Sequence, residues 1–460
     1  LPVWDGNPEI FYFDPNGLNA PNNRFLSYGM EVSATAVFLE DEGDFLALPV
    51  QYTVSGTANE QAVRPRADQE ITVGSLNCLL LFSNDNDFST RVRKLARFII
   101  ERMQAPDILA LQEIGDLNAL QELAYQIEQF SPEEHYTPYF RLANGDLHLA
   151  YLVSERIGEV TITQLGGNLP FSLGGRLHDR PPLLLEVELP TEPATALSVL
   201  NVHMRSLIGI EGSNATFVRT KRAEQAASVA EMIQARQGDN LLVVGDYNAY
   251  PFTDGYVDVL SQMTGTSSLG ALYPIAEIVD PPLVNHTANL PQTERYSYVF
   301  DGSAQLIDHI LSTGLPNLSI AEVAIARGNA DVAEAYMDNV NLANRASDHD
   351  APVAFLQLEY PLASRDQRPP DQTGLSIHPN PLYAGQILTV RIDEVGQQHH
   401  LQLRVTNGQG QTIWTEITRA DGPTLAIPTA TWPAGSYLVS VSNLETGAVG
   451  RSKVVLLTDH

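Results

Sequence analysis

Asp107-Ile-Leu-Ala-Leu-Gln-Glu113 is an apolar run that closes on a carboxylate, and Leu241-Leu-Val-Val-Gly-Asp-Tyr-Asn248 is a second that closes on Gly-Asp-x-Asn. Short apolar runs of this kind read as sheet strands, and they recur at 71–81, 147–153, 183–189 and 197–202. Helical spacing falls between some of them. Residues 89–103 place Val92, Leu95, Ala96, Ile99, Ile100 and Met103 at i, i+3, i+4, i+7, with a Ser/Thr start as N-cap. Residues 218–235 repeat Ala, Val, Met and Ile on one side, which predicts a helix whose Arg222 and Glu231 face water. Strands alternating with covering helices predict an α/β layer architecture over 68–360.

The flanks differ in composition. Residues 1–67 are rich in Pro, Gly and Asn, and Glu31-Val-Ser-Ala-Thr-Ala-Val-Phe-Leu39 alternates as one or two strands of a small β unit. Residues 361–374 contain a Pro pair and no apolar period, which reads as a linker. Beyond it, 375–460 carries alternating runs at 387–392, 401–405, 412–416 and 437–441, with Asn407-Gly408 as a turn, predicting a small β-sandwich.

Composition bounds the chemistry. A chain of 460 residues, 43% hydrophobic, buries a sizeable core in two or three domains. The single cysteine, Cys78, excludes an intrachain disulfide and sits in an apolar run, so a buried thiol is expected. No stretch reaches the roughly 18 consecutive apolar residues of a membrane span. Leu1-Pro-Val-Trp-Asp5 has neither a basic n-region nor an apolar h-region, so any secretion leader is expected to have been removed from this numbering. The formal charge of −28 argues against recognition through a basic face, although carboxylates that hold a cation also count as negative.

Acids, amides and imidazoles collect at the strand ends, where open α/β sheets bind ligands. A hard cation such as Mg²⁺ takes one or two carboxylates plus an amide oxygen, which Glu113 and Asn77 offer. Cleaving a phosphodiester also requires an oriented water, charge stabilisation and a proton source, which Asp246, Asn248 and two histidines supply. His203 ends the strand 197–202; Asp348-His349 precedes the strand 353–358; and Asp308, closing a strand 304–308, is placed as the carboxylate partner of His349. Each of these has an ordinary structural explanation by itself. Their ordered recurrence at strand ends favours function.

The set Ser75-Leu-Asn77, Ala110-Leu-Gln-Glu113, Asn201-Val-His203, Gly245-Asp-Tyr-Asn248, Leu306-Ile-Asp308 and Ser347-Asp-His349 resembles the endonuclease/exonuclease/phosphatase superfamily. The resemblance implies a four-layer α/β sandwich of two packed mixed sheets flanked by helices. It implies that Asn77 and Glu113 hold Mg²⁺ or Mn²⁺, with Ca²⁺ an alternative, and that Asp348 is a second metal-side carboxylate. Asp246 and Asn248 would orient water and phosphate. His349, oriented by Asp308, would act on the scissile phosphate, and His203 would be the second imidazole of the deoxyribonuclease-I-like branch, with Asp146 as a candidate partner.

Arg295-Tyr-Ser-Tyr-Val-Phe-Asp-Gly302 and Asp179-Arg-Pro-Pro-Leu183 look like bacterial extracellular nucleases, making Arg180, Arg205 and Arg295 candidate phosphate contacts. Ile114-Gly115 stands where DNA-cleaving members often carry a basic residue. Ser376-Ile-His-Pro-Asn-Pro381, Asn407-Gly-Gln-Gly410 and Trp432-Pro-Ala-Gly-Ser-Tyr437 resemble sorting domains of the type IX secretion system of Bacteroidetes, implying that machinery as partner. The expectation is a secreted, monomeric, metal-dependent nuclease at the cell surface or beyond it. The alternatives are a phosphodiesterase or phosphatase for lipid or sugar phosphates, and an inactive binding protein.

Overall fold

Strands such as Leu241–Asp246 are buried at every position because both of their faces are covered, and the cover differs from face to face. The computed structural model describes residues 11–14, 18, 20, 25–41, 44–158, 160–191, 193–267, 270–274, 276–359, 375–380, 382–383, 385–392, 400–407, 412–419, 424–443 and 449–457. The chain forms two compact units, 1–362 and 363–460.

The first unit opens with β1 (Tyr12–Phe13), β2 (Glu31–Asp41) and β3 (Asp44–Ser55), one three-stranded sheet. There follow β4 (Glu70–Leu81), α1 (Phe88–Glu101), β5 (Ile108–Ile114), α2 (Leu117–Phe130), β6 (Tyr136–Phe140), β7 (His148–Ser154), β8 (Val160–Gln164), β9 (Leu183–Leu189) and β10 (Thr195–His203). Then come α3 (Ala215–Gln234), β11 (Leu241–Asp246), α4 (Val259–Thr264), β12 (Val284–Asn285), β13 (Tyr298–Phe300), β14 (Ser303–Gln305), β15 (Asp308–Ser312), β16 (Leu318–Ala326) and β17 (Ala351–Leu358).

Two six-stranded sheets dominate, ordered β16-β17-β4-β5-β7-β6 and β12-β15-β11-β10-β9-β8. Both are mixed, since β4 with β5 and β10 with β11 run parallel among antiparallel neighbours. Ile71, Val73, Ile108 and Ala110 of one sheet share a buried cluster with Leu185, Val199, Leu242, Val244 and Ile310 of the other. The alternate residues turn outward: Leu109 and Leu111 meet Leu95, Ile99 and Leu120 of α1 and α2, while Leu200, Val202, Leu241 and Val243 meet Val229 and Ile233 of α3. Burying each such side chain contributes ~1.5–3 kcal/mol.

Local departures have physical causes. Helix α1 starts at Phe88, one residue before the Ser/Thr expected to cap it. Its N-cap is Asp87, whose carbonyl rather than its side chain accepts from Thr90 and Arg91. The exit comes before Met103 because Gln104 and Ala105 are left-handed, with φ of 56° and 49°. Arg222, expected to face water, is buried, because α3 covers loops as well as the sheet. Its guanidinium donates to the carbonyls of Arg205 at 2.5 Å and Asn248 at 2.8 Å and pairs with Asp254 at 3.0 Å. Glu231 is exposed, as expected.

Residues 304–308 form no single strand. Asp308 instead begins β15, antiparallel to β11 and in register with Asp246. Cys78 is fully buried, and burial pushes its thiol pKa up.

In the second unit, a three-stranded and a five-stranded sheet share a core that includes Leu388, Val390, Ile427, Leu403, Val439, Trp432 and Tyr437. Strands Ile387–Ile392, His400–Asn407, Thr412–Arg419 and Gly435–Asn443 contain the four expected runs. The expected turn residue Gly408 and the expected linker 361–374 lie outside the described residues.

Candidate active site

Two backbone irregularities aim the acidic groups. On β4 the pairing with β5 jumps from Asn77↔Gln112 to Leu81↔Ile114, a bulge in which Leu79 and Leu80 are left-handed, with φ of 54° and 53°. Arg91 of α1 holds the bulge by donating to the carbonyls of Cys78 at 2.8 Å, Leu79, and Leu80 at 3.1 Å. Glu113 is itself left-handed, at φ 61°, and its Oε2 accepts from the Leu80 N–H at 2.8 Å. Gly115 follows because a Cβ there would lie 2.2 Å from the Phe82 ring.

β11 delivers Asp246 beside this bulge. Gly245 is obligatory, since a Cβ there would lie 1.9 Å from the Val202 carbonyl oxygen. Asp246 Oδ1 accepts from the Asn248 N–H at 2.8 Å. Its Oδ2 accepts from Asn248 Nδ2 at 3.0 Å and from Asn77 Nδ2 at 3.1 Å. The Asn77 amide also donates to Glu113 Oε1 at 3.2 Å, so one amide bridges two carboxylates. His203, at the end of β10, places Nε2 3.4 Å from Asp246 and 3.8 Å from Glu113.

The second half of the site is the pair His349 Nδ1 and Asp308 Oδ2, 2.8 Å apart and buried. Ser297 Oγ donates to the same carboxylate oxygen at 2.7 Å, and the Tyr298 ring packs against the imidazole at 4.8 Å. Beneath them Asn329 Nδ2 donates to the His349 carbonyl at 2.7 Å, and Ser347 Oγ donates to the Asn77 carbonyl at 2.7 Å. These contacts tie the histidine loop to the bulge.

The charges are unevenly shared. Burial, with Asp308 and Glu113 nearby, pushes Asp246 up to about 7 against the pull of His349. Burial works against a charged His349, but Asp308, Asp348 and Asp246 outweigh it and hold this imidazole protonated well above its ordinary range. Burial, then Arg180 and His349, holds His203 neutral. The same fold therefore keeps one imidazole charged and the other uncharged.

Asn77, Glu113, His203, Asp246, Asn248, Asp308 and His349 thus come together, with Asp348 acting electrostatically on His349. Arg180 feels Asp246 and Glu113, and its guanidinium donates to the Met204 carbonyl at 3.2 Å. Arg205 lies near Arg180. Arg295 is turned to the Leu290 carbonyl and is exposed.

Asp146 is not the partner of His203. It is exposed and acts on His148, while His203 Nδ1 is buried without a hydrogen-bond partner among the described residues. Sequence reasoning also missed Ser297, Tyr298 and Asn329. Ser297 and Tyr298 lie within the Arg295-Tyr-Ser-Tyr-Val-Phe-Asp-Gly302 motif, and nothing local marks Asn329.

Among the described residues no three His, Cys, Asp or Glu side chains form a metal-binding group. The donor set suits a hard cation, for which one or two carboxylates and an amide oxygen suffice, once the Asn77 amide turns its oxygen from the Leu79 N–H toward Glu113. Burial is the main cause of the raised Asp246, with the Asp308 and Glu113 charges adding to it, and a cation beside Glu113 would favour its ionised form.

Two mixed sheets thus bring a buried Asp–His pair and a carboxylate–amide cluster into one site. Residues 74–349 match the endonuclease/exonuclease/phosphatase family, and the chain belongs to it. Enzymes of this family hydrolyse phosphodiester or phosphate bonds and are generally divalent-metal dependent.

Similar solved structures include an endonuclease/exonuclease/phosphatase from Bacteroides vulgatus, at 15% identity and TM-score 0.40, covering 63% of this chain and 99% of that one. The human Nocturnin catalytic domain with bound sulfate shows 16% identity and TM-score 0.38, covering 64% of this chain and 100% of that one. The Xenopus laevis APE2 catalytic domain shows 14% identity and TM-score 0.40, covering 64% and 94%. No curated protein matches the chain in sequence.

Proposed function

We propose that this chain is a secreted nuclease that hydrolyses phosphodiester bonds of extracellular DNA with Mg²⁺ or Mn²⁺. The observation that carries the reading is the meeting of Asn77, Glu113 and Asp246 on one side with the His349–Asp308 pair on the other. Asn77 and Glu113 would hold the cation, with Asp348 as a further carboxylate. When bound, it supplies Lewis-acid polarisation of a phosphoryl oxygen.

The chain's own groups do the rest. Asp246, raised toward neutrality, accepts the proton of an attacking water, and Asn248, fixed to the same carboxylate, orients it. Charged His349 donates to the phosphoryl oxygen on which negative charge grows, and Asp308 holds its Nδ1. Neutral His203 offers a second imidazole without adding charge. Arg180 stands close enough to the acids to meet a phosphate, and Arg205 lies near Arg180.

A four-layer α/β/β/α arrangement accounts for the shared core between the sheets and the helices on their outer faces. The second compact unit, 363–460, serves as the export address, for which the motif ending Trp432-Pro-Ala-Gly-Ser-Tyr437 is the support. Among the described residues no helix is long and apolar enough to cross a membrane.

The test is purified protein incubated with plasmid DNA, RNA and methyl p-nitrophenyl phosphate, with Mg²⁺, Mn²⁺ or chelator. Cleavage of DNA in Mg²⁺ or Mn²⁺ supports the reading, and hydrolysis of the small diester alone defeats the nuclease assignment. Deleting residues 375–460 should abolish export from the native host while turnover survives.

A further inference from the structure

Two near-parallel aromatic pairs are attached to the two halves of the site. Tyr298, against His349, is followed on the same strand face by Phe300, with ring centroids 6.5 Å apart and planes 18° apart. The β13–β14 hairpin turns through Asp301-Gly302, both with positive φ of 45° and 73°, a two-residue turn whose chemistry matches strand twist. Beside that turn Phe300 is 54% exposed.

The second pair begins two residues after Asn248. Tyr250 and Phe252 lie 5.4 Å apart with planes 20° apart, and Phe252 is 59% exposed. Their loop is held by Arg222, which donates to the Asn248 carbonyl and pairs with Asp254. Exposed aromatic faces attached to the site offer surfaces on which a flat ring can stack.

We propose that Phe300 and Phe252, each backed by its tyrosine, are stacking platforms for unpaired nucleobases flanking the scissile phosphate, making single-stranded polynucleotide the preferred substrate. The proposal rests on the nuclease reading above. Affinity for nucleic acid comes from phosphate neutralisation or from base stacking, and the acidic chain is poorly equipped for the first. Within a duplex both faces of a base are already stacked, so an unpaired base is what such a platform accepts. The parallel planes suit a flat ring added to an existing stack, which a lipid headgroup does not provide.

The test compares wild type, Phe300→Ala, Phe252→Ala and the conservative Phe300→Trp in Mg²⁺. The substrates are a single-stranded oligonucleotide, its duplex, an abasic strand of equal phosphate number, and methyl p-nitrophenyl phosphate. Each alanine should raise KM for the single strand by about 5- to 150-fold, with the loss in KM rather than kcat and no change on the abasic strand. Phe300→Trp should keep the wild-type KM, and quenching of 2-aminopurine placed beside the scissile bond should vanish in the alanine variants.

Equal losses on the abasic strand, or an unchanged single-strand KM, would overturn the platforms. Wild type that hydrolyses the small diester but no oligonucleotide removes the nuclease reading and the platforms together. If no substrate is cleaved, 2-aminopurine quenching in wild type that survives both alanine substitutions still refutes the stacking.

Discussion

Replacing Asp308 by Asn changes one charge and almost no volume at the buried imidazole. The carboxylate oxygen lies 2.8 Å from His349 Nδ1 and accepts from Ser297 Oγ at 2.7 Å. In the variant the serine contact persists, so the fold should survive. Leaving a buried charge without its partner costs ~3–5 kcal/mol, which His349 avoids by releasing its proton.

The sign follows from the direction of the shift. His349 is raised, so its charge is present at acid pH and lost only as pH climbs through a folded pKa well above the ordinary range; without Asp308 that loss moves down toward neutrality. Losing a charged donor at the phosphoryl oxygen removes ~2–4 kcal/mol of transition-state stabilisation, about 30- to 1,000-fold in kcat. The assay is kcat on a single-stranded oligonucleotide between pH 5 and 9, with wild type rising to a plateau as Asp246 ionises. Asp308→Asn should be slower and decline on the alkaline side of neutrality. An unshifted profile with unchanged kcat would refute the reasoning.

Arg222→Met removes the counter-ion of Asp254, whose Oδ1 keeps the N–H donors of Tyr256 and Val257, and frees the Asn248 carbonyl, so urea unfolding should show a loss of ~2–4 kcal/mol and kcat should fall. His178, held neutral by burial with a pKa lowered to about 4, makes the unfolded chain the better proton acceptor between there and ~6.5. Stability is therefore full above that window and falls by ~3 kcal/mol as pH drops through it, a slope that His178→Gln should flatten in pH-dependent thermal melts.

The ends of the buried strands were legible because an acid after an apolar run has few places to go except the sheet edge. Glu113, Asp246 and His203 follow that logic, and Asp308 reaches the same edge from the opposite strand direction. Arg222 misled because helical period distinguishes apolar from polar faces but cannot show that a polar stripe is buried against loops. The double left-handed bulge at Leu79-Leu80 breaks strand period at apolar residues, so nothing in composition marks it. Ser297 and Asn329 act through long-range hydrogen bonds, which only the assembled fold specifies. Asp146 failed for the converse reason: proximity to a strand start did not place it beside the intended histidine.

The sharpest measurement is oligonucleotide hydrolysis by wild type and Glu113→Gln across a Mg²⁺ titration, paired with calorimetric Mg²⁺ binding. Wild type should be silent in chelator and active with Mg²⁺, while Glu113→Gln should bind Mg²⁺ at least ~10-fold more weakly and recover activity only at correspondingly higher metal. Hydrolysis that persists in chelator, or a variant that binds and cleaves like wild type, would contradict a cation held at the Asn77–Glu113 bulge.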